Sequence, residues 1–226
     1  MISGETRVVG LLRGPLVPSQ SPRMQNAAFA VRGLDWAYVV LSVRLEEIED
    51  ALRGLVALQF AGANVTTPHK LAVAKLVETD LPSVNTLVIR EGRIHGTSTD
   101  PAILDGLDFE RAAIIGGGGV AVAFAAELPH ALRFSRRATW PPDVSDADLV
   151  INATSERKEV LVELQAGQTL VDLPYPLTAT GRAAEAAGAR VVDGLEVLVA
   201  QGAASFELWT GMPAPVEAMR AAVRSA

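Results

Sequence analysis

The sequence predicts an α/β protein of two domains, and three observations carry that prediction. Short β-type runs alternate with segments of helical periodicity along the chain. The alternation restarts beyond Asp108 with an apolar run that ends in Gly116-Gly117-Gly118-Gly119. Upstream, the polar loop Asn64-Val65-Thr66-Thr67-Pro68-His69-Lys70 closes another short run. At 226 residues the chain has room for one large domain or two compact ones.

Arg7 to Leu12 reads as the first strand and ends in the loop Gly14 to Ser21. Ser21-Pro22 opens a helix, with serine as the expected cap and proline suited to the first turn. Met24, Ala27, Ala28 and Val31 give that helix an apolar face, and Gly33 fits its C-terminal cap. Ala37 to Val43 alternates as a strand, and Leu45, Ile48, Leu52, Leu55 and Val56 follow at helical spacing. Ala63 to Thr66 is a short strand before the Pro68 loop. In the second half, Ala112–Ile115, Leu132–Ser135, Asp148–Asn152, Thr169–Leu173 and Arg190–Val192 read as strands. Val120–Leu128, Thr178–Ala187, Gly194–Trp209 and Pro215–Ser225 read as helices. The predicted boundaries are 1–103 for the first domain and 104–202 for the second, a Rossmann-like domain, with a cleft between them. The terminal segment 203–226 is expected to pack back on the first domain.

Composition excludes several classes of function. Hydrophobic residues make up 49% of the chain, enough for a core, and the net charge of -6 disfavours a polyanion binder. The chain has no cysteine, so thiol chemistry is absent, and His69, His95 and His130 show no metal-ligand spacing. No apolar run reaches the length of a membrane span and the N-terminus lacks a signal-peptide pattern, so a cytoplasmic protein is expected.

Gly116-x-Gly118-x-x-Ala121 follows a strand and opens a helix, the setting in which such a pattern reads as a dinucleotide turn. One glycine permits the tight turn, and the next lets the backbone approach a pyrophosphate at the positive end of the helix. After the following strand, where an NAD site usually carries an acid, the chain has Ser135-Arg136-Arg137. Two guanidiniums suit a 2′-phosphate, so NADP is expected in preference to NAD.

In the first half, Lys70 stands in polar company. Asn64, Thr66, Asn85 and Asp100 fall at or beside strand ends, and Ser19 and Ser21 offer two hydroxyls from one loop. As a set they suit a pocket for a carboxylate-bearing polyol.

These motifs resemble those of the shikimate dehydrogenase family, in the family's order and over nearly the whole chain. Gly10-Leu11-Leu12-x-x-Pro15 and Ser19-x-Ser21-Pro22 are similar to its opening motifs, and Asn64 to Lys70 matches its catalytic loop. Val84-Asn85-Thr86-Leu87, Thr99-Asp100, Ile151-Asn152-Ala153-Thr154, Asp172-x-x-Tyr175 and Gln201-Gly202-Ala203-x-x-Phe206 continue the series. The resemblance implies NADP-dependent, reversible oxidation of shikimate to 3-dehydroshikimate. It implies that Lys70 exchanges a proton at the C3 oxygen and that Asp100 orients the lysine and the hydroxyl. Ser19 and Ser21 would hold the carboxylate, and Thr66, Asn85, Asp100 and Gln201 the hydroxyls, with Tyr175 towards the cofactor. Gly116, Gly118, Gly119, Ser135, Arg136, Arg137, Thr154, Leu173 and Gly194 would line the cofactor site. The partner would be a small cyclic hydroxy acid, with no nucleic acid, membrane or metal, in a monomer or homodimer.

The chain is a shortened member by this comparison. The stretches Glu78–Ser83, Asp100–Glu110 and Val120–Arg136 are briefer than the family's, and Ser155-Glu156-Arg157-Lys158 stands where the family has Gly-Met. Pro18 and Gln25 replace histidines and Ser98 an asparagine, changes at the pocket rim and hinge. Quinate, or another hydroxylated cyclic acid, is the alternative substrate. A catalytically weak nucleotide- or metabolite-binding protein is the alternative of another class, against which Lys70 and Asp100 argue.

Overall fold

The computed structural model describes residues 2–15 and 19–225. In chain order the elements are β1 (Arg7–Arg13), α1 (Ser21–Val31), β2 (Trp36–Ser42), α2 (Ile48–Ala57), β3 (Gly62–Val65), α3 (Lys70–Val73), β4 (Thr86–Arg90) and β5 (Arg93–Thr97). There follow β6 (Ala112–Ile115), α4 (Gly119–Glu127), β7 (Leu132–Phe134), β8 (Leu149–Asn152), β9 (Thr169–Asp172), α5 (Ala179–Ala186), β10 (Arg190–Asp193), α6 (Gly194–Thr210) and α7 (Val216–Arg224). Contacts divide the chain into two compact units: residues up to Thr99 with Val199 onward, and Asp100–Leu198.

The first unit holds a five-stranded sheet in the order β2-β1-β3-β4-β5. β1, β2 and β3 are parallel, whereas β4 runs antiparallel to β3 and to β5. The β4–β5 hairpin is an element that the sequence pattern does not announce. Its two-residue turn uses Glu91 (φ 51°) and Gly92 (φ 75°), the doubly positive φ pattern that matches strand twist. One face of the sheet packs Leu12, Ala63, Val65 and Leu87 against Ile48, Leu52 and Leu55 of α2. Against the other face, Phe29 of α1 stacks on Phe206 of α6 at 5.6 Å between centroids. The Trp209 indole N–H donates to the Leu87 carbonyl at 2.9 Å.

Two local expectations are corrected. Ser21 is not the cap of α1: Gln20 occupies that position without a side-chain hydrogen bond, and Ser21 lies in the first turn. The helix starts one residue early, and Pro22 stands in its first turn, where a missing N–H leaves no intrahelical bond unmade. Leu45 is not part of α2's apolar face; it starts a separate 3-10 turn and stands 47% exposed. At the other end of α1, Gly33 (φ 66°) ends the helix as expected. The Leu34 N–H bonds back to Phe29 and that of Gly33 to Ala30, the double closure of a Schellman motif.

The second unit is a wholly parallel sheet in the order β10-β9-β8-β6-β7. Its strands alternate cleanly between two cores. Ala113, Ile115, Val150 and Leu170 face Ala184 of α5 together with Val144, Leu161 and Leu164 from loops. Ala112, Ile114, Leu149, Ile151 and Val171 face Phe124 of α4 and Val197 of α6. Strand direction of growth reverses at β6, which makes the β6/β8 boundary the switch point where an open parallel sheet binds its ligand. Residues 135–148 link β7 to β8 without a helix or strand, so β7 remains the sheet edge.

Gly62 shows how tightly α6 sits on the first sheet. A Cβ there would lie 2.3 Å from the Leu87 carbonyl oxygen and 2.4 Å from Trp209 Nε1. Gly62→Ala is therefore expected to destabilise the protein by about 2–3 kcal/mol. Urea unfolding checks this, and an unchanged midpoint would contradict the packing.

Candidate active site

In the first unit the candidate residues collect at one end of the sheet. Ser19 and Ser21 follow β1, while Thr66 and Lys70 follow β3. Asn85 precedes β4, which runs the other way, so its carbonyl meets the Val65 N–H at 2.7 Å. The loop after β3 is pinned at both ends. The Thr66 N–H donates to the Leu12 carbonyl at 3.0 Å, and buried His69 donates from Nε2 to the Val43 carbonyl at 3.0 Å. A carbonyl can only accept, so Nε2 carries the proton. Lys70 then opens α3 with 6% exposure, a rare burial for a lysine.

Ser19 Oγ donates to Ser21 Oγ at 3.0 Å and accepts from the Ser21 N–H at 3.2 Å, which sets the two hydroxyls side by side at the start of α1. The partial positive charge of that helix end favours an anion beside them. Pro18, one of the noted departures, lies outside the described residues.

From Ser21 a buried polar network runs through the unit. Tyr38, hydrogen-bonded to Ser21, donates its hydroxyl proton to Asn64 Oδ1 at 2.9 Å. The Asn64 amide nitrogen reaches Thr86 Oγ1 at 3.0 Å and Ser205 Oγ at 2.9 Å. Ser205 donates to the Gln201 carbonyl and lies within 3.1 Å of the Thr99 hydroxyl. Asn85 Oδ1 accepts from the Thr99 N–H at 2.7 Å, and its Nδ2 reaches Gln201 Oε1 at 3.4 Å. Ser21, Asn85 and Gln201, each a candidate on sequence grounds, thus share one hydrogen-bonded scaffold. Tyr38 and Ser205 belong to it too, although neither stands out in the sequence. The available signal was Ser205 four residues after Gln201, which puts both on one face of α6.

The remaining candidate residues belong to the second unit. Asp100 opens a 3-10 turn, Asp100–Gly106, and is 7% exposed. At the glycine cluster, Gly116 has φ 138° and a Cβ there would stand 2.8 Å from the Ala153 carbonyl oxygen. Gly118 is the N-cap residue of α4, and a Cβ on it would meet nothing within 4 Å. That bare, open backbone at a helix start fits a pyrophosphate. Gly119 begins α4, and a Cβ on Gly117 would sit 3.7 Å from Ser135. Arg136 and Arg137 are exposed, with Arg136 over the Trp140 ring and paired with Glu159.

Around the ends of β8 and β9, buried Asn152 donates to Asp172 Oδ1 at 2.7 Å, and Asp172 also accepts from Thr178. Thr154 directs its hydroxyl to Asn152 Oδ1 at 2.8 Å, inside its own turn. Gly194 opens α6 where a Cβ would stand 2.3 Å from the Leu173 carbonyl oxygen. Tyr175 is half-buried between β9 and α5.

Removing one node of the first network leaves buried polar partners unsatisfied. Ser205→Ala is expected to destabilise by about 1–3 kcal/mol in denaturant unfolding. Tyr38 gives a pH signature. Burial pushes its phenol well above the usual 10.0, so the stabilisation is full below that value and is lost as pH rises beyond it. Tyr38→Phe should flatten the decline in stability above pH 10, read from unfolding midpoints against pH.

Known proteins share both the sequence and the architecture. A family model described as the shikimate dehydrogenase substrate binding domain matches residues 11–86, and one described as the shikimate 5′-dehydrogenase C-terminal domain matches residues 194–224. The NADP(+) shikimate dehydrogenase of Anaeromyxobacter dehalogenans (strain 2CP-C) is 37% identical, with 100% of this chain and 98% of that protein covered. That alignment spans 273 positions, 47 more than the 226 residues of this chain. The Thermus thermophilus shikimate 5-dehydrogenase in complex with NADP(H) and shikimate superposes with a TM-score of 0.83 at 29% identity, covering 97% of this chain and 99% of that one. A shikimate dehydrogenase solved with NADP+ gives 0.87 at 28% identity, covering 100% of this chain and 97% of that one. The two-unit α/β architecture, the order of motifs and these full-length matches agree: the chain belongs to the shikimate dehydrogenase family.

Proposed function

We propose that this protein interconverts shikimate and 3-dehydroshikimate with NADP as the redox partner. The observation that carries the reading is Lys70, a lysine at 6% exposure at the end of a loop pinned by Thr66 and His69. A buried, rigidly held amine suits proton exchange with an alcohol that is losing hydride. In this reading Lys70 takes the proton from the C3 hydroxyl during oxidation and returns it during reduction. Asp100, also buried, orients that hydroxyl and the lysine. The Ser19–Ser21 pair holds the carboxylate at the start of α1. Thr66, Asn85 and Gln201 fix the ring hydroxyls, and Tyr175 borders the ring on the cofactor side.

The nicotinamide supplies the hydride acceptor or donor when bound. Gly116, Gly118 and Gly119 provide the backbone that approaches the pyrophosphate, supported by the lack of room for a Cβ at Gly116 and the openness at Gly118. Ser135, Arg136 and Arg137 receive the adenosine end, with Thr154, Leu173 and Gly194 along the rest. We assign residues 1–103 and 203–226 to the substrate half and 104–202 to the nucleotide half. The protein acts in the cytoplasm, as a monomer or homodimer, on a small cyclic hydroxy acid. No helix among the described residues is long and apolar enough to cross a membrane.

The test is to follow reduced-cofactor absorbance with NADP⁺ and either shikimate or quinate. Turnover with shikimate is expected, while turnover with quinate alone would reassign the substrate. Lys70→Ala should lower kcat by about 10²- to 10⁴-fold with a much smaller change in substrate binding. Wild-type turnover in that variant would remove the lysine from the mechanism.

A further inference from the structure

Arg136 lies in the turn after β7, and Glu159 in the loop after β8. β6 stands between those strands, so the Arg136–Glu159 pair bridges the strands that flank the glycine turn at the switch point. The guanidinium is held on two sides. Its face lies over Trp140, 5.3 Å from the ring centroid, and its Nη2 is engaged by Glu159 Oε2. Glu159 is itself presented by a tight turn. The Glu156 carboxylate accepts the backbone N–H groups of Arg157 at 2.8 Å, Lys158 at 2.7 Å and Glu159 at 3.3 Å. Those backbone donors, Lys158 foremost, hold the Glu156 carboxyl below its usual pKa, with the nearby Arg136 charge adding to the effect.

We propose that Glu159 is a cofactor-specificity residue: an internal carboxylate that competes with a 2′-phosphate for Arg136 and so limits the preference for NADP over NAD. This rests on the assignment of Arg136 to the 2′-phosphate. A carboxylate and a phosphate dianion seek the same donors on the guanidinium fork. A 2′-phosphate must therefore displace Glu159 or bind beside its negative charge. The uncharged 2′-hydroxyl of NAD meets neither obstacle, and an acid near that hydroxyl is the usual NAD arrangement. The pair is solvent-exposed, so the effect is that of a surface ion pair and is screened by salt.

The experiment uses the full chain at low ionic strength, with calorimetric binding of adenosine 2′,5′-bisphosphate and of 5′-AMP. Glu159→Gln is expected to tighten the bisphosphate by about 2- to 5-fold and to leave AMP unchanged. Arg136→Ala should weaken the bisphosphate by about tenfold or more, and adding Glu159→Gln to it should change nothing further. If Glu159→Gln has no effect, or tightens both ligands alike, while Arg136→Ala still weakens the bisphosphate, the competitor role is overturned and the phosphate assignment stands. If Arg136→Ala leaves the bisphosphate unaffected, the assignment falls and the competitor role with it.

Discussion

Asn64 is the side chain on which the first unit depends. It lies on β3, and its amide is shared among Tyr38 of β2, Thr86 of β4 and Ser205 of α6. A buried amide is tolerated only when its donors and acceptor are met, so these four elements can occupy only one mutual arrangement. That constraint reaches the proposed substrate site. The loop bearing Thr66 and Lys70 begins one residue after β3, and Asn85 and Gln201 lie on the same hydrogen-bonded scaffold. The sheet core supplies most of the hydrophobic driving force, yet apolar packing alone would accept small slides of α6 over the strands. The amide's bond to Ser205 and the Trp209–Leu87 bond both oppose such slides.

The second unit uses a different device at the corresponding place. Asp172, at the end of β9, gathers the Asn152 amide and both the backbone and hydroxyl of Thr178. Thr178 in turn caps α5 through the Gly181 N–H. One carboxylate therefore ties the ends of two parallel strands to the start of a helix. The close approach of Gly116 to the Ala153 carbonyl does the same on the other side of β8. The crevice-forming ends of β6, β8 and β9 are thus fixed even though no helix or strand lies between β8 and β9.

Much of this is legible in the sequence. The strands of the parallel sheet read as apolar runs because both of their faces are buried, as in Ala112–Ile115 and in Leu149 to Ile151 of β8. Gly33 and Gly116 are legible because their positive φ, and at Gly116 the Ala153 carbonyl as well, disfavour a side chain. The β4–β5 hairpin is not, because Thr86 to Ile89 does not alternate and its turn is Glu91-Gly92 rather than the stronger Asn-Gly signal. The Ser21 cap fails by one position, because α1 starts at Ser21 itself with Gln20 before it, and a serine-proline pair fits the first turn as well as the cap. The Tyr38–Asn64–Ser205 network is hidden for a more general reason. It joins residues 26 and 141 positions apart, and no local pattern records such a pairing.

The order β10-β9-β8-β6-β7 ends at a three-residue strand. The reversal that creates the ligand crevice needs β6 and its neighbours, and nothing beyond β7 enters it. The outer margin of this sheet is therefore the place where the domain's size is negotiable. Beyond the turn that carries Arg136 and Trp140, chain length can be lost or gained before Val144, while the strands that frame the crevice keep their register. In this chain five parallel strands suffice to frame the switch point at β6 and β8.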